Sequence, residues 1–293
     1  MASALQRKRL TYAQIAGWIF VSPALLVQFI FGWLPVAVAF VVAFQKYYLA
    51  KPAEWVGFAN FTEVITDPLT PVSFVNTFIY AGLSLGLTFI VPILVAIFLL
   101  EMRPGVIRVM MILWFIPVAS MAGIVLWKWL YNVHYGALNA MLGGVGLPHL
   151  QWLDSPKTAM ISLVLPGVIM FGPGLVYIAS LQSIPDELYE AAHIEGAGIW
   201  QKIWHITLPR IRPVIAMMLI FGVIGALQIF ELPFIMTRGG PGTATTTVVM
   251  RVYTLAFNSF RMDKATALSI VLFFVIMALI IIQRRYFRED PDQ

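Results

Sequence analysis

Apolar residues in this chain come in long blocks, not in the one-face or alternating patterns of a water-soluble fold. Six stretches carry no charged residue: 10–45, 68–100, 109–127, 158–185, 213–230 and 265–283. A helix that crosses a bilayer needs about 20 mostly apolar residues. Each stretch therefore predicts one spanning helix, at approximately 15–44, 74–100, 108–128, 159–181, 213–236 and 265–283. A seventh uncharged stretch, 129–153, holds Asn132, His134, Asn139, Pro148, His149 and four glycines (Gly136, Gly143, Gly144 and Gly146). No apolar run inside it is long enough to span, so it reads as an extramembrane loop with a short helix.

The ends of the chain set the orientation. Arg7, Lys8 and Arg9 precede the first block, and Arg284, Arg285 and Arg288 follow the last. Basic flanks stay on the cytoplasmic side, so both termini, 1–14 and 284–293, are expected inside, which requires an even number of spans. Segments 101–108 and 182–212 then also lie inside, and the four inner segments hold 11 Lys/Arg in 63 residues against 8 in 87 outside. The apolar run after Arg9 far exceeds the core of a cleaved signal peptide and reads as the first span. Prolines at 23, 35, 92, 117 and 166 and the run Gly172-Pro173-Gly174 fall within blocks. Each proline removes a helical hydrogen bond, either as ordinary bundle irregularity or, at the last site, as a broken helix lining a pathway.

Composition agrees. Apolar residues make up 60% and charged residues 11% of 293, and the mean hydropathy is +0.86. Soluble domains carry about a quarter charged residues, so the chain could not cover its own surface in water. There is no cysteine, which excludes thiolate catalysis, Cys-ligated metal and a disulfide scaffold. The net charge of +5 comes from scattered residues with no basic block, so nucleic acid is not an expected partner. Gly82-Leu83-Ser84-Leu85-Gly86 matches the hydrolase nucleophile pattern. It lies inside an apolar block without strand–turn–helix context, and reads instead as small-residue helix packing at Gly82 and Gly86. The histidines at 134, 149, 193 and 205 lack metal-ligand spacing, so no metal site is expected.

The most informative segment lies between the fourth and fifth blocks. Ser183 three residues before Asp186, Pro185, and acids in the first turn form a helix start. Gly196 and Gly198 break that helix. A second, amphipathic helix follows, with Trp200, Ile203, Trp204 and Leu208 on one face and Pro209 as its stop. Two readings fit: an interfacial helix lying on lipid headgroups, or a docking element for a cytoplasmic partner. Small Ala191 and Ala192 beside Glu190 suit close approach to a groove.

These residues carry a family resemblance. Glu190-Ala191-Ala192, three residues, Gly196, nine residues, then Ile206, Leu208 and Pro209 resemble the EAA loop of ABC-importer permeases at every fixed position. Only Glu195, before Gly196-Ala197, departs from the more frequent aspartate, a conservative change. Ala179–Pro185, Trp55-Val56-Gly57-Phe58 with Asn60-Phe61, Asn76-Thr77, and Thr237-Arg238-Gly239-Gly240-Pro241 with Ala244-Thr245 are similar to the carbohydrate-uptake branch, which includes maltose-type and glycerol-phosphate-type permeases. The resemblance spans nearly the whole chain. It implies an all-α, six-span permease (15–283) in a prokaryotic inner membrane, with 182–212 as the coupling loop seated in an ATPase subunit. It also implies a second permease subunit, two ATPase copies and an extracytoplasmic binding protein. The chain has no G-x-x-x-x-G-K-[ST] loop, so ATP and magnesium would belong to the ATPase chains, and this chain would hold no cofactor and catalyse no bond chemistry.

Polar residues within blocks are costly and by default functional. Gln228 and Glu231, three apart with Phe230 between them, are expected to share one helical face. A carboxylate at the bilayer centre costs about 2.5–3.5 kcal/mol on insertion scales, so Glu231 is expected in a wet or bundle-facing setting, as a sugar contact or as a structural hydrogen bond. Trp114, Trp127 and Trp129 suit either ring stacking on a sugar or interfacial anchoring. Gly239, Gly240 and Pro241 read as an outer loop facing the binding protein, or as a plain flexible turn. The competing functional classes are an ion-coupled secondary transporter, which needs buried ionisable pairs, and an intramembrane hydrolase, which needs a nucleophile with a base. Within the importer class a non-sugar solute such as a polyamine stays open.

Overall fold

The first apolar block forms one continuous helical rod in the computed structural model, which describes residues 12–48, 51–100, 102, 104–115, 121–169 and 174–286. Helix α1 (Tyr12–Gln28) passes through a π-helical turn, Phe29–Trp33, into α2 (Leu34–Ala43). Pro35 stands in the first turn of α2, and the wide turn before it is closed by the Leu34 N–H on the Phe29 carbonyl, five residues back. A proline ring clashes with the carbonyl four residues earlier; the extra residue in the turn accommodates it, so the rod continues. A short hairpin, β1 (Gln45–Tyr48) with β2 (Lys51–Trp55), leads to α3 (Ala59–Thr66). Asn60 caps the end of the first span: its Nδ2 donates to the carbonyls of Ala43 and Gln45, both at 2.9 Å. Phe44 packs on Trp55, Phe58 and Phe61. Gly57, with φ +58°, makes the turn between these rings.

The second block divides. Helix α4 (Leu69–Thr88) ends at Phe89 and α5 (Ile90–Leu100) resumes, with Pro92 unable to donate to Thr88. The third block supplies α6 (Pro104–Phe115) and α7 (Met121–Leu130). The loop after it holds one short helix, α8 (Ala137–Gly144), pinned by Asn139, whose amide bonds Val133, Leu150 and the Trp152 indole. The fourth block supplies α9 (Pro156–Ile169) and α10 (Gly174–Gln182). Residues 116–120 and 170–173, with Pro117 and Gly172-Pro173, lie outside the described residues. Among the described residues four helices are long and apolar enough to cross a membrane: Ile15–Ala43, Leu69–Leu99, Ile199–Met236 and Met262–Tyr286.

After α11 (Asp186–Ile194), α12 (Ile199–Lys202) runs through a second π turn, Ile203–Thr207, into α13 (Leu208–Leu227). Pro209 was expected to stop this helix. It does not: the same π-turn-then-Leu-Pro arrangement as at Pro35 carries the helix past it, closed by the Leu208 N–H on Ile203. The chain then forms α14 (Glu231–Met236), α15 (Val248–Tyr253), a third π turn at Thr254–Asn258, and α16 (Met262–Tyr286).

Two cores hold the bundle. The larger joins α4, α7, α9, the α13–α14 junction and α16 around Tyr131, Leu163, Leu227 and Leu268. The smaller joins α5 and α10 to the segment leading into α13, through Ile97, Tyr177, Ile178, Ile203 and Ile211. Among the described residues of this chain, Gly82 and Gly86 do not mediate close helix packing. A Cβ added at either would meet nothing within 4 Å, because both lie on the exposed side of α4.

Candidate functional site

The loop between α10 and α13 is a bent helical pair. Its helix start differs in detail from the expectation. Pro185, extended at ψ 132°, occupies the cap position with Asp186 and Glu187 in the first turn, while the Ser183 hydroxyl donates back to the Ser180 carbonyl. The acids still face the positive end of the helix dipole. At the other end Gly196, at φ +77°, closes a Schellman turn: Ala197 N–H reaches the Ala192 carbonyl and Gly196 N–H the His193 carbonyl. The Gln201 side chain then accepts from the Gly198 N–H at 2.8 Å and starts α12.

The pair has two sides. Leu188, Tyr189, Ile203, Ile206 and Leu208 pack on the smaller core, which includes Ile97, Leu181 and Ile184. Glu190, Ala191, His193, Ile194 and Glu195 face outward, with Ala192 and Ala197 half-buried at the edge. Ile194 is 87% exposed and Trp200 65%. Trp200 and Trp204 are both exposed and do not share the packed face of Ile203, contrary to the single face expected from helical spacing. Of the motif positions, Glu190 and Ala191 form surface, Gly196 makes the bend, Ile206 and Leu208 pack inward, and Pro209 lies exposed in the first turn of α13. A cleft of about 430 Å³ runs beneath the pair, lined by Ile97, Leu181, Asp186, Tyr189, Lys202 and Thr207.

At the far end of α13 the expected helical face of Gln228 and Glu231 is absent. The helix ends at Leu227 with Gln228 as its cap, and Glu231 opens α14. Both side chains are exposed, and Phe230 is half-buried between them. Phe230 joins a file of rings on the neighbouring helix: its centroid is 4.8 Å from Phe234 and 5.2 Å from Tyr253, and Tyr253 is 5.1 Å from Phe257. Trp114 lies in α6, and its side chain is outside the described residues. Trp127 packs on Tyr131 at 5.6 Å in the larger core, whereas Trp129 is exposed. From α7, Lys128 donates to the Ile235 carbonyl at 2.9 Å and covers the C-terminal end of α14.

A second cavity, of about 500 Å³, opens between α4, α9, α10 and the α13–α14 junction. Its polar lining comes from Tyr80, Ser84, Thr88 and Tyr177, and Gly167, Gly222 and Gly225 leave the space open. Ile229 and Leu232 line it, but Gln228, Phe230 and Glu231 do not. The only hint of these residues in the sequence was Ser84, in the discarded hydrolase pattern.

The Gly239–Pro241 loop is not a flexible turn. Asn76 Nδ2 donates to the carbonyls of Thr243 and Thr246 at 2.7 and 3.0 Å, and Thr77 Oγ1 accepts from the Val248 N–H at 3.0 Å. Thr245, fully buried, donates to the Gly240 carbonyl and lies 2.6 Å from the Thr237 hydroxyl. The Gly240–Pro241 peptide is cis. Gly239, at φ +89°, has no room for a Cβ, which would fall 2.6 Å from Thr246 Oγ1. Beside this loop, Arg251 pairs with Asp67, and Lys264 with Glu63. The Lys264 ammonium holds the Glu63 carboxyl below its ordinary range. Burial works against ionisation of Asp67, but the Leu69 N–H and the Arg251 guanidinium outweigh it and leave that carboxyl low as well.

Residues 73–288 match the family of binding-protein-dependent transport system inner membrane components. The trehalose/maltose transport system permease MalF of Thermococcus litoralis is 32% identical over 285 residues, covering 94% of this chain and 95% of its own. The sulfoquinovosyl glycerol transport system permease SmoG of Agrobacterium fabrum is 32% identical over 249 residues, covering 81% and 78%. Among solved structures, a subunit of a bacterial importer of the acidic polysaccharide alginate is 26% identical, with TM-score 0.80 over 94% of this chain and 96% of its own. The same kind of transporter, in complex with an alginate-pentasaccharide-bound periplasmic protein, gives TM-score 0.81 at 27% identity over 94% and 95%.

Proposed function

Because the chain belongs to the binding-protein-dependent transport system inner membrane components, we propose that it forms half of the translocation pathway of a carbohydrate importer, driven by ATP hydrolysis on separate subunits. The observation that carries this reading is the bent pair α11–α12. It presents Glu190 and Ala191 outward next to exposed Ile194 and Trp200, yet is anchored by its other side on a core shared with two spans. That combination of an unpartnered surface and a rigid mount suits a lever seated in an ATPase cleft. A helix merely resting on headgroups would need no such mount.

On this reading the third and fourth blocks complete six spans with both termini cytoplasmic. A second permease subunit forms the other half of the pathway, and two ATPase copies drive it by rigid-body rocking around a site within the membrane. A binding protein delivers cargo to the outer loop at Gly239, Gly240 and Pro241. ATP and magnesium sit on the ATPase chains. The importers of maltose and trehalose, sulfoquinovosyl glycerol and alginate to which this chain is similar favour a sugar cargo over a polyamine. Gln228, Glu231 and the Phe230 ring file offer the acceptors and stacking surfaces a sugar uses; the cavity between Tyr80 and Tyr177 gives it room. Trp114 belongs to the same path.

The test is Glu190→Lys in the assembled complex. The ATPase subunit is expected to be lost from the purified particle and uptake to fall to background, while membrane insertion is unchanged. Unchanged uptake would show that the bent pair is no docking element. Stimulation of ATP hydrolysis across a panel of binding-protein-delivered sugars and polyamines then identifies the cargo.

A further inference from the structure

The two arms of the loop, α11 and α12, meet a spanning helix through a joint that a helix alone would leave weak. The π turn at Ile203–Thr207 replaces the regular ladder, and Pro209, two residues on, contributes no N–H. Beyond the backbone bond from the Leu208 N–H to Ile203, one side chain braces this joint. Thr207, 4% exposed, sends its hydroxyl hydrogen to the Lys202 carbonyl, five residues back, at 3.3 Å. Its oxygen lies 3.0 Å from the hydroxyl of Tyr189. Either hydroxyl can be the donor across this pair. A single buried oxygen thus ties the residue next to Glu190 to the base of α13.

We propose that the Tyr189–Thr207 hydroxyl pair locks α11, α12 and α13 into one rigid lever, so that motion of a seated ATPase is delivered to the membrane span rather than absorbed at the π turn. Tyr189 and Thr207 are positioning residues on this view: neither touches ATP or cargo. The proposal rests on the docking role of the loop. Without the lock the ATPases would close without moving the permease, and hydrolysis would no longer wait for the binding protein.

The experiment uses the complete complex of both permeases and the ATPase, with ATP alone and no binding protein. Spin labels at Glu187→Cys and Met217→Cys, in a chain with no other cysteine, report the lever. In the otherwise native background the label distance is expected to be narrow and identical without nucleotide and with ATP. Tyr189→Phe and Thr207→Val should each broaden it and raise idle ATP hydrolysis about twofold to tenfold, the factor commanded by one net hydrogen bond. Thr207→Ser should restore both, and the double variant should be no worse than either single one. Tyr189→Phe removes one oxygen and keeps the ring in place, so it tests the lock even where Thr207→Val does not assemble. Unchanged distance and hydrolysis in Tyr189→Phe, with the ATPase still bound, would overturn the lock and leave the docking role intact. Failure of the unmutated chain to hold the ATPase would overturn both.

Discussion

Asn76 shows how one side chain can fix a functional surface. Its amide donates to two carbonyls of the loop before α15, more than 160 positions away in sequence, and the adjacent Thr77 accepts from Val248, the first residue of α15. Leaving part-buried carbonyls without donors costs about 1–3 kcal/mol. Asn76→Ala should therefore lower the melting temperature of the purified protein and expose the bond after Arg238 to trypsin; a protected Arg238 at unchanged melting temperature would show that the loop holds itself. The sequence displayed Asn76-Thr77 and Thr237–Pro241 as separate resemblances, but not that they touch. Likewise Gln228 and Glu231 were legible as unusual residues, yet not as flanking a helix break, because spacing three apart implies a shared face only when the helix is unbroken.

Elements were legible where hydropathy decides them and obscure where backbone accommodation does. The first, second, fifth and last blocks mark the four described helices that are long and apolar enough to cross a membrane, since length and apolarity suffice for that. Pro209 read as a stop because a proline normally ends a helix; a π turn one residue ahead of Leu-Pro, used at Pro35 and again at Pro209, was invisible to a rule based on single residues. The short helix α3 buries Asn60 and Val64 and adds two ion pairs on its outer side. The pKa of Glu63 and of Asp67 is lowered in the fold, so their pairing with Lys264 and Arg251 contributes fully above the ordinary carboxylate values of 4.5 and 3.8 and is lost as pH falls through the lower folded values. Proteolytic protection of α3 should accordingly be flat from pH 8 to 5 and decline below about pH 4; protection that persists into stronger acid would place its stability in packing alone.

At the scale of the whole molecule, exposed apolar helices surround two separate cores. The larger core gathers the helices near the Gly239–Pro241 loop and α16, and the smaller one mounts the bent pair, with α13 running between the two. Family membership follows from residues 73–288, and the motif Glu190–Pro209 had already pointed there. Hydropathy could not reveal the 500 Å³ cavity, because cavities arise from helix pairing and not from any one stretch.

The absence of cysteine permits a direct test of the lever in its place. A single Ala191→Cys, carrying a maleimide photo-cross-linker, is predicted to join the ATPase subunit of the purified complex and to react with impermeant thiol reagents from the cytoplasmic side only. Labelling from the outer side, or no cross-link to the ATPase, would contradict the account.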